Sequence, residues 1–183
     1  FFLSSIKFTF PYKIKKLSLL VFILGFFILP INAEEKKIIK KNTEYNIYSG
    51  IFDFSDEGKK ATLIGFQHQN EELNRDTFLG NLSPISGALM TADSATYVYT
   101  GVQANYKIGN LKLTPSFTPG LYGEGDSGKD LGHAMQFKSE VQISVDLFEN
   151  SEFGFKYNHI SNADLGDKNP GANSYMLNFL KKF

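Results

Sequence analysis

A histidine and a serine stand two residues apart in His159-Ile160-Ser161-Asn162. A serine hydroxyl is a weak nucleophile near neutral pH until a neighbouring base takes its proton, and histidine is the usual base. The pair points to acyl transfer to water, with backbone N–H groups of the turn 162–166 as donors to the tetrahedral oxyanion. Phe153, Phe155 and Tyr157 precede His159 and Ser161 at the same parity, while Glu152, Lys156, Asn158 and Asn162 fill the other. In a strand, residues i and i+2 point to the same side. Base and nucleophile therefore share an apolar face, and such a face asks for a membrane lipid as substrate.

The elements that must carry this pair are strands. Alternation at period two recurs over roughly 44–54, 61–70, 78–90, 95–108, 111–122, 133–147, 152–163 and 173–183. Eight is an even number, suited to an antiparallel barrel with both termini on one side. The sixth segment alternates most cleanly. Met135, Phe137, Val141, Ile143, Val145 and Leu147 share one face, and Gln136, Lys138, Glu140, Gln142, Ser144 and Asp146 share the other. Gly109-Asn110 and 148–151 are tight turns, whereas 55–60, 123–130 and 164–172 are longer, polar and Gly-rich. Short turns alternating with long loops fit the periplasmic and extracellular ends of an outer-membrane barrel. The 71–77 connection is long for a periplasmic turn. A soluble sandwich is the alternative architecture.

With both termini periplasmic, the seventh strand runs outward, and His159 and Ser161 lie near its outer end. A hairpin centred near Gly166 sets position 159 opposite 173. Asn173 shares the parity of Tyr175, Leu177 and Phe179 and should face outward beside His159. A third residue that fixes the imidazole tautomer is normally a carboxylate, although Asn serves in some triads. The inward charges Lys138, Glu140, Asp146, Glu152 and Lys156 are expected to form a polar network filling a barrel too narrow to be a pore. Pro115 and Pro119 each remove a ladder donor, so that strand is expected to bend or bulge.

The ends and the composition bound the rest. Lys13, Lys15 and Lys16 precede an apolar run from Leu17 to Leu29, then Pro30 and a cut site at Ala33. This predicts a cleaved signal peptide over 1–33, the run being short of the ~20 residues that span as a helix. Removing it takes away Lys7, Lys13, Lys15 and Lys16 and no acid. That leaves 15 Lys and Arg against 19 Asp and Glu over the single domain 34–183. A mildly acidic chain lacks the basic footprint of a nucleic-acid binder. Cysteine is absent, so no disulfides form. The acidic loop 124–130 lacks the spacing of a calcium loop, and neither a metal nor another cofactor is expected. His68 reads as an interfacial residue and His133 as a structural one or a headgroup contact.

The run His159-Ile160-Ser161-Asn162-Ala163, followed by Asn169-Pro170-Gly171, resembles the C-terminal motif of the PagL-type lipid A deacylases. Leu113–Tyr122, Asp130–His133 and Phe137-Lys138-Ser139 also look like this family. The resemblance implies an eight-stranded outer-membrane barrel that hydrolyses the 3-position ester-linked acyl chain of lipid A. It implies Ser161 as nucleophile and His159 as base, with Asn162, Asn169 and Gly171 supporting the oxyanion. Family members place Glu where this chain has Asn173, which makes Asn173 the orienting third member here, with Asp164 and Asp167 as nearby carboxylates. The implied partners are lipopolysaccharide, the outer membrane and the barrel assembly machinery, which reads an aromatic-tipped last strand such as the one ending at Phe183. A homodimer is left open, with no surface patch that points to one. The competing reading is a non-catalytic small barrel with a structural or adhesion role, in which His159 and Ser161 merely sit at the interface.

Overall fold

The structure, a computed structural model, describes residues 43–183. The expected signal peptide lies outside the described residues. The strands are β1 (Thr43–Phe52), β2 (Ala61–Asn70), β3 (Arg75–Thr77), β4 (Gly80–Thr91), β5 (Thr96–Ala104), β6 (Tyr106–Ile108), β7 (Leu111–Gly123), β8 (Met135–Phe148), β9 (Ser151–Ser161) and β10 (Ala172–Lys182). β3 and β6 are short; the eight long strands form the wall. All pairings are antiparallel, and β1 pairs with both β2 and β10, which closes the sheet on itself. The eight long strands lie where alternation predicts them.

Three details depart from the expected outline. The 71–77 connection is a 3-10 turn, capped by the Asn70 side chain on the Glu72 N–H at 2.9 Å, followed by β3 folding back on the start of β4. A segment too long for a tight turn is thus a small hairpin extending the wall. The fourth predicted strand breaks at Asn105, whose side chain accepts from Thr114 Oγ1 at 3.1 Å, and β6 then resumes pairing with β7. Around the prolines there is no bulge. The β7–β8 register runs unshifted through Pro115↔Val141 and Pro119↔Phe137. The β5–β7 ladder merely lapses between Tyr99↔Gly120 and Val102↔Phe117, a gap that contains Pro119, which has no N–H to give.

The two faces of the wall exclude a water-soluble sandwich. Val141, Ile143 and Val145 of β8 are exposed, whereas Gln136, Lys138, Glu140, Gln142 and Ser144 are buried. Ile47, Ile64, Phe66, Val98, Phe155 and Leu177 continue the exposed apolar belt around the barrel. Apolar outside and polar inside is the pattern of a barrel whose solvent is lipid. The interior is filled by side chains. Glu140 pairs with Lys156 at 2.8 Å and Lys138 at 3.2 Å and accepts from Asn158 Nδ2 at 3.2 Å. The Lys138 ammonium lies 3.8 Å from the Tyr99 ring centre and that of Lys156 4.7 Å from the Tyr48 ring. The expected inward network is therefore present, although Asp146 sits at the exposed rim, paired with Lys112 at 2.5 Å.

Candidate active site

The ends of β9 and β10 place the site. Residues 162–171 join them at the end of the barrel opposite Thr43 and Phe183, the same end that carries the connections 53–60, 92–95 and 124–134. In the β9–β10 ladder His159 lies opposite Asn173, as the hairpin centre predicts, with Tyr157 opposite Tyr175 next below. His159 is exposed, and Asn173 and Ser161 are half-buried on the same outer wall. His159 Nδ1 lies 2.9 Å from Asn173 Oδ1. An amide oxygen can only accept, so Nδ1 carries the proton and Nε2 keeps its lone pair. That is the tautomer a general base needs toward a serine hydroxyl.

Asn173 is itself held from several directions. Its Oδ1 also accepts from Tyr157 Oη at 3.0 Å, and its Nδ2 donates to Ser55 Oγ at 3.2 Å. Ser55 Oγ donates to Asp53 Oδ1 at 3.2 Å, and the Asn173 backbone N–H donates to the same oxygen at 3.3 Å. Asp53 is fully buried, adopts φ 48°, and forms an ion pair with Lys129 from the 124–134 loop. Asp53 is thus a carboxylate hydrogen-bonded directly to Asn173. Asp164 accepts instead from Asn169 Nδ2 at 3.1 Å, and Asp167 is exposed on the loop.

Ser161 stands one step beyond His159 on the same face. Among the described residues its hydroxyl makes no hydrogen bond to the imidazole. Such bonds are often long in unliganded sites and tighten when substrate binds. The loop above is rigidly laced. Asn162 is fully buried and donates through Nδ2 to the carbonyls of Leu131 and Lys168, at 2.8 and 2.7 Å. Its N–H goes to Asn169 Oδ1 at 3.0 Å. Both asparagines thus hold the loop, and their own donors are engaged. The Lys168 ammonium and the Gly132 N–H hold the Asp130 carboxyl below its usual range, so this second tie between loops is present at neutral pH and lost only as pH falls through that lowered value.

Gly171 touches the imidazole edge. It has φ 63°, and a Cβ built on it would meet His159 Cε1 at 2.9 Å. Only glycine suits both the backbone and the space. Gly171→Ala should therefore displace the ring and lower kcat by roughly tenfold or more, as small misplacements at reacting groups do. Barrel stability should change by no more than about 1–3 kcal/mol, the cost of one strained residue. Wild-type kcat in this variant would show that the ring tolerates the shift.

A profile of the family described as lipid A 3-O-deacylase (PagL) matches residues 60–182. The chain belongs to that family. The strands and connections of the chain also align with solved structures. One is the outer membrane enzyme PagL, with a TM-score of 0.55 and 15% identity over 75% of this chain and 98% of that one. Neisserial surface protein A gives 0.53 and 9% identity, covering 78% of this chain and 97% of that one. A designed transmembrane β-barrel gives 0.51 and 10%, covering 82% and 100%. An enzyme, a surface protein and a design share this shape, so the likenesses speak to the fold alone. No curated protein sequence matches the chain. Asp53 and Ser55 precede the residues matched by the family profile, and nothing in the local pattern of 51–60 marks them. Their link to Asn173 spans 120 and 118 residues of chain.

Proposed function

We propose that this protein is a deacylase that sits in the outer membrane with the loops 53–60, 124–134 and 162–171 outward and removes the 3-position ester-linked acyl chain of lipid A. Ser161 Oγ attacks the ester carbonyl while His159 Nε2 takes its proton. The proton passes to the departing sugar oxygen, leaving an acyl-enzyme. His159 then activates a water that releases the 3-hydroxy fatty acid and regenerates the serine. Asn173 keeps Nδ1 protonated throughout. The Gly171 N–H, on the loop braced by Asn162 and Asn169, serves in this mechanism as a donor to the oxyanion. The observation that carries this reading is the His159–Asn173 hydrogen bond on a lipid-facing wall, since polar groups there are costly without a task.

Two further features support it. A shallow groove of about 450 Å³ beside Tyr175, lined by Ile51, Phe54, Ala61 and Thr62, offers an apolar seat for an acyl chain. Lys60, paired with Glu57 at 2.5 Å, also lines it and can exchange that partner for an anionic headgroup. The outward face of β10, with Tyr175, Leu177 and Phe179, gives the apolar and aromatic lining a lipid-facing strand needs.

The test is incubation of the purified barrel in detergent with lipopolysaccharide, followed by mass spectrometry. Lipid A should lose one ester-linked 3-hydroxyacyl chain and keep its amide-linked chains. Unchanged lipid A with a folded barrel would overturn the proposal. Asn173→Glu should match or exceed the wild-type kcat, because a carboxylate both orients the imidazole and offsets the imidazolium charge. Complete loss of activity in that variant, with the barrel intact, would argue against residue 173 as the group that orients His159.

A further inference from the structure

Asn173 poses a problem that a carboxylate would not. An amide has two ends of nearly equal shape, one accepting and one donating. With Oδ1 toward His159, the imidazole holds its proton on Nδ1 and Nε2 is a base. With the amide turned over, Nδ2 would donate to Nδ1, the proton would move to Nε2, and Ser161 would face an N–H instead of a lone pair. The turned amide would give an imidazole unable to deprotonate serine. Something must select the orientation.

We infer that Asp53 and Ser55, on the connection between β1 and β2, are positioning residues that lock the Asn173 amide and through it the His159 tautomer. The inference rests on the Ser161–His159–Asn173 reading above. The logic runs along one chain of hydrogen bonds. Asp53 Oδ1, a carboxylate oxygen, can only accept, so the Ser55 hydroxyl must give it its single hydrogen, over 3.2 Å. Ser55 Oγ is then left with lone pairs alone toward Asn173, and only Nδ2 of the amide can meet it, at 3.2 Å. Oδ1 is thereby turned to His159 at 2.9 Å. The charge of Asp53 sets the direction of every bond that follows.

The anchoring of Asp53 fits this role. Its Oδ1 also receives the Asn173 backbone N–H, so the carboxylate grips the residue it orients from two sides. The Phe54 N–H bonds the Asn173 carbonyl at 2.9 Å, zipping the loop onto β10 past the end of β1. Lys129 pairs with Asp53 and lies 3.3 Å from Asp56, so the buried carboxylate has a cation beside it. The left-handed backbone at Asp53 is a conformation that costs energy in a residue other than glycine, as at sites held for function.

The experiment compares Ser55→Ala, Ser55→Thr and Asp53→Asn in the full barrel in detergent, with heat-modifiable mobility as the check on folding. Turnover of lipopolysaccharide is split into kcat and KM, and the His159 tautomer is read from the 15N shifts of its two ring nitrogens. Ser55→Ala and Asp53→Asn should lower kcat by roughly 10- to 100-fold, the range for losing a residue that orients a functional histidine, with KM little changed. The fraction of His159 protonated on Nε2 should rise in both. Ser55→Thr keeps the hydroxyl and should recover most of the loss. In the Asn173→Glu background, Ser55→Ala should add no further loss, because a carboxylate has no wrong way round. Unchanged kcat and tautomer in Ser55→Ala would overturn the inference. So would an equal loss in the Asn173→Glu background, which would mark a role in loop folding alone. A wild-type barrel that leaves lipid A intact would instead overturn the deacylase reading, and the tautomer shifts would still test the lock.

Discussion

Replacing Ser161 by alanine should cut the release of 3-hydroxy fatty acid from lipopolysaccharide by at least about a thousandfold, as loss of the nucleophile does in other serine hydrolases. The barrel should be untouched. Ser161 is the last residue of β9 and half-buried on the outer wall, and its hydroxyl has no packing role that alanine fails to fill. Heat-modifiable mobility and expression should therefore match wild type, which makes the loss a statement about chemistry. His159→Ala should cost about as much, and the double variant little more, because groups acting as one unit lose their effect together. Full activity in a folded Ser161→Ala barrel would sink the mechanism. Additive losses would mean that serine and histidine act independently.

The second large effect concerns stability. Glu140 is the anion between Lys138 and Lys156, all three buried in the barrel interior. Glu140→Ala should destabilise the barrel by about 3–5 kcal/mol, the cost of stranding a buried charge, read from urea unfolding in detergent or lipid. Replacing all three together by Lys138→Met, Glu140→Leu and Lys156→Met should recover most of that loss, because an apolar filling of similar volume needs no desolvated ions. A loss below about 1 kcal/mol for Glu140→Ala would place the trio on the scale of solvent-exposed pairs and imply a wetter interior.

What the chain discloses about itself follows from how local each signal is. The wall is written in alternation, so all eight long strands and their facing can be found from residues such as Val141, Ile143 and Val145 against Gln142 and Ser144. The His159–Asn173 pairing is equally legible, because strands adjacent in sequence pair about the middle of the loop that joins them, here near Gly166. The β3 hairpin is hidden because Arg75-Asp76-Thr77 is too short to alternate. The anchoring of Asn173 is hidden for a different reason. Ser55 reaches it across 118 residues and Lys129 reaches Asp53 across 76, and only closure of β1 against β10 makes these loops neighbours. Asn162 sits between these cases. Its inward parity can be read from the strand, but its two carbonyl partners on separate loops cannot.

The reactive pair proposed for the outer wall of this filled barrel changes how encounter is counted. The lumen is packed with Tyr48, Tyr99, Lys138 and Glu140, so a lipid has no route through it. Substrate must arrive sideways by lateral diffusion within one leaflet, and the released fatty acid departs the same way. The relevant concentration is then the mole fraction of lipid A at the surface. Diluting lipopolysaccharide with inert detergent or phospholipid at constant bulk concentration should slow turnover, as expected of an enzyme that works in two dimensions.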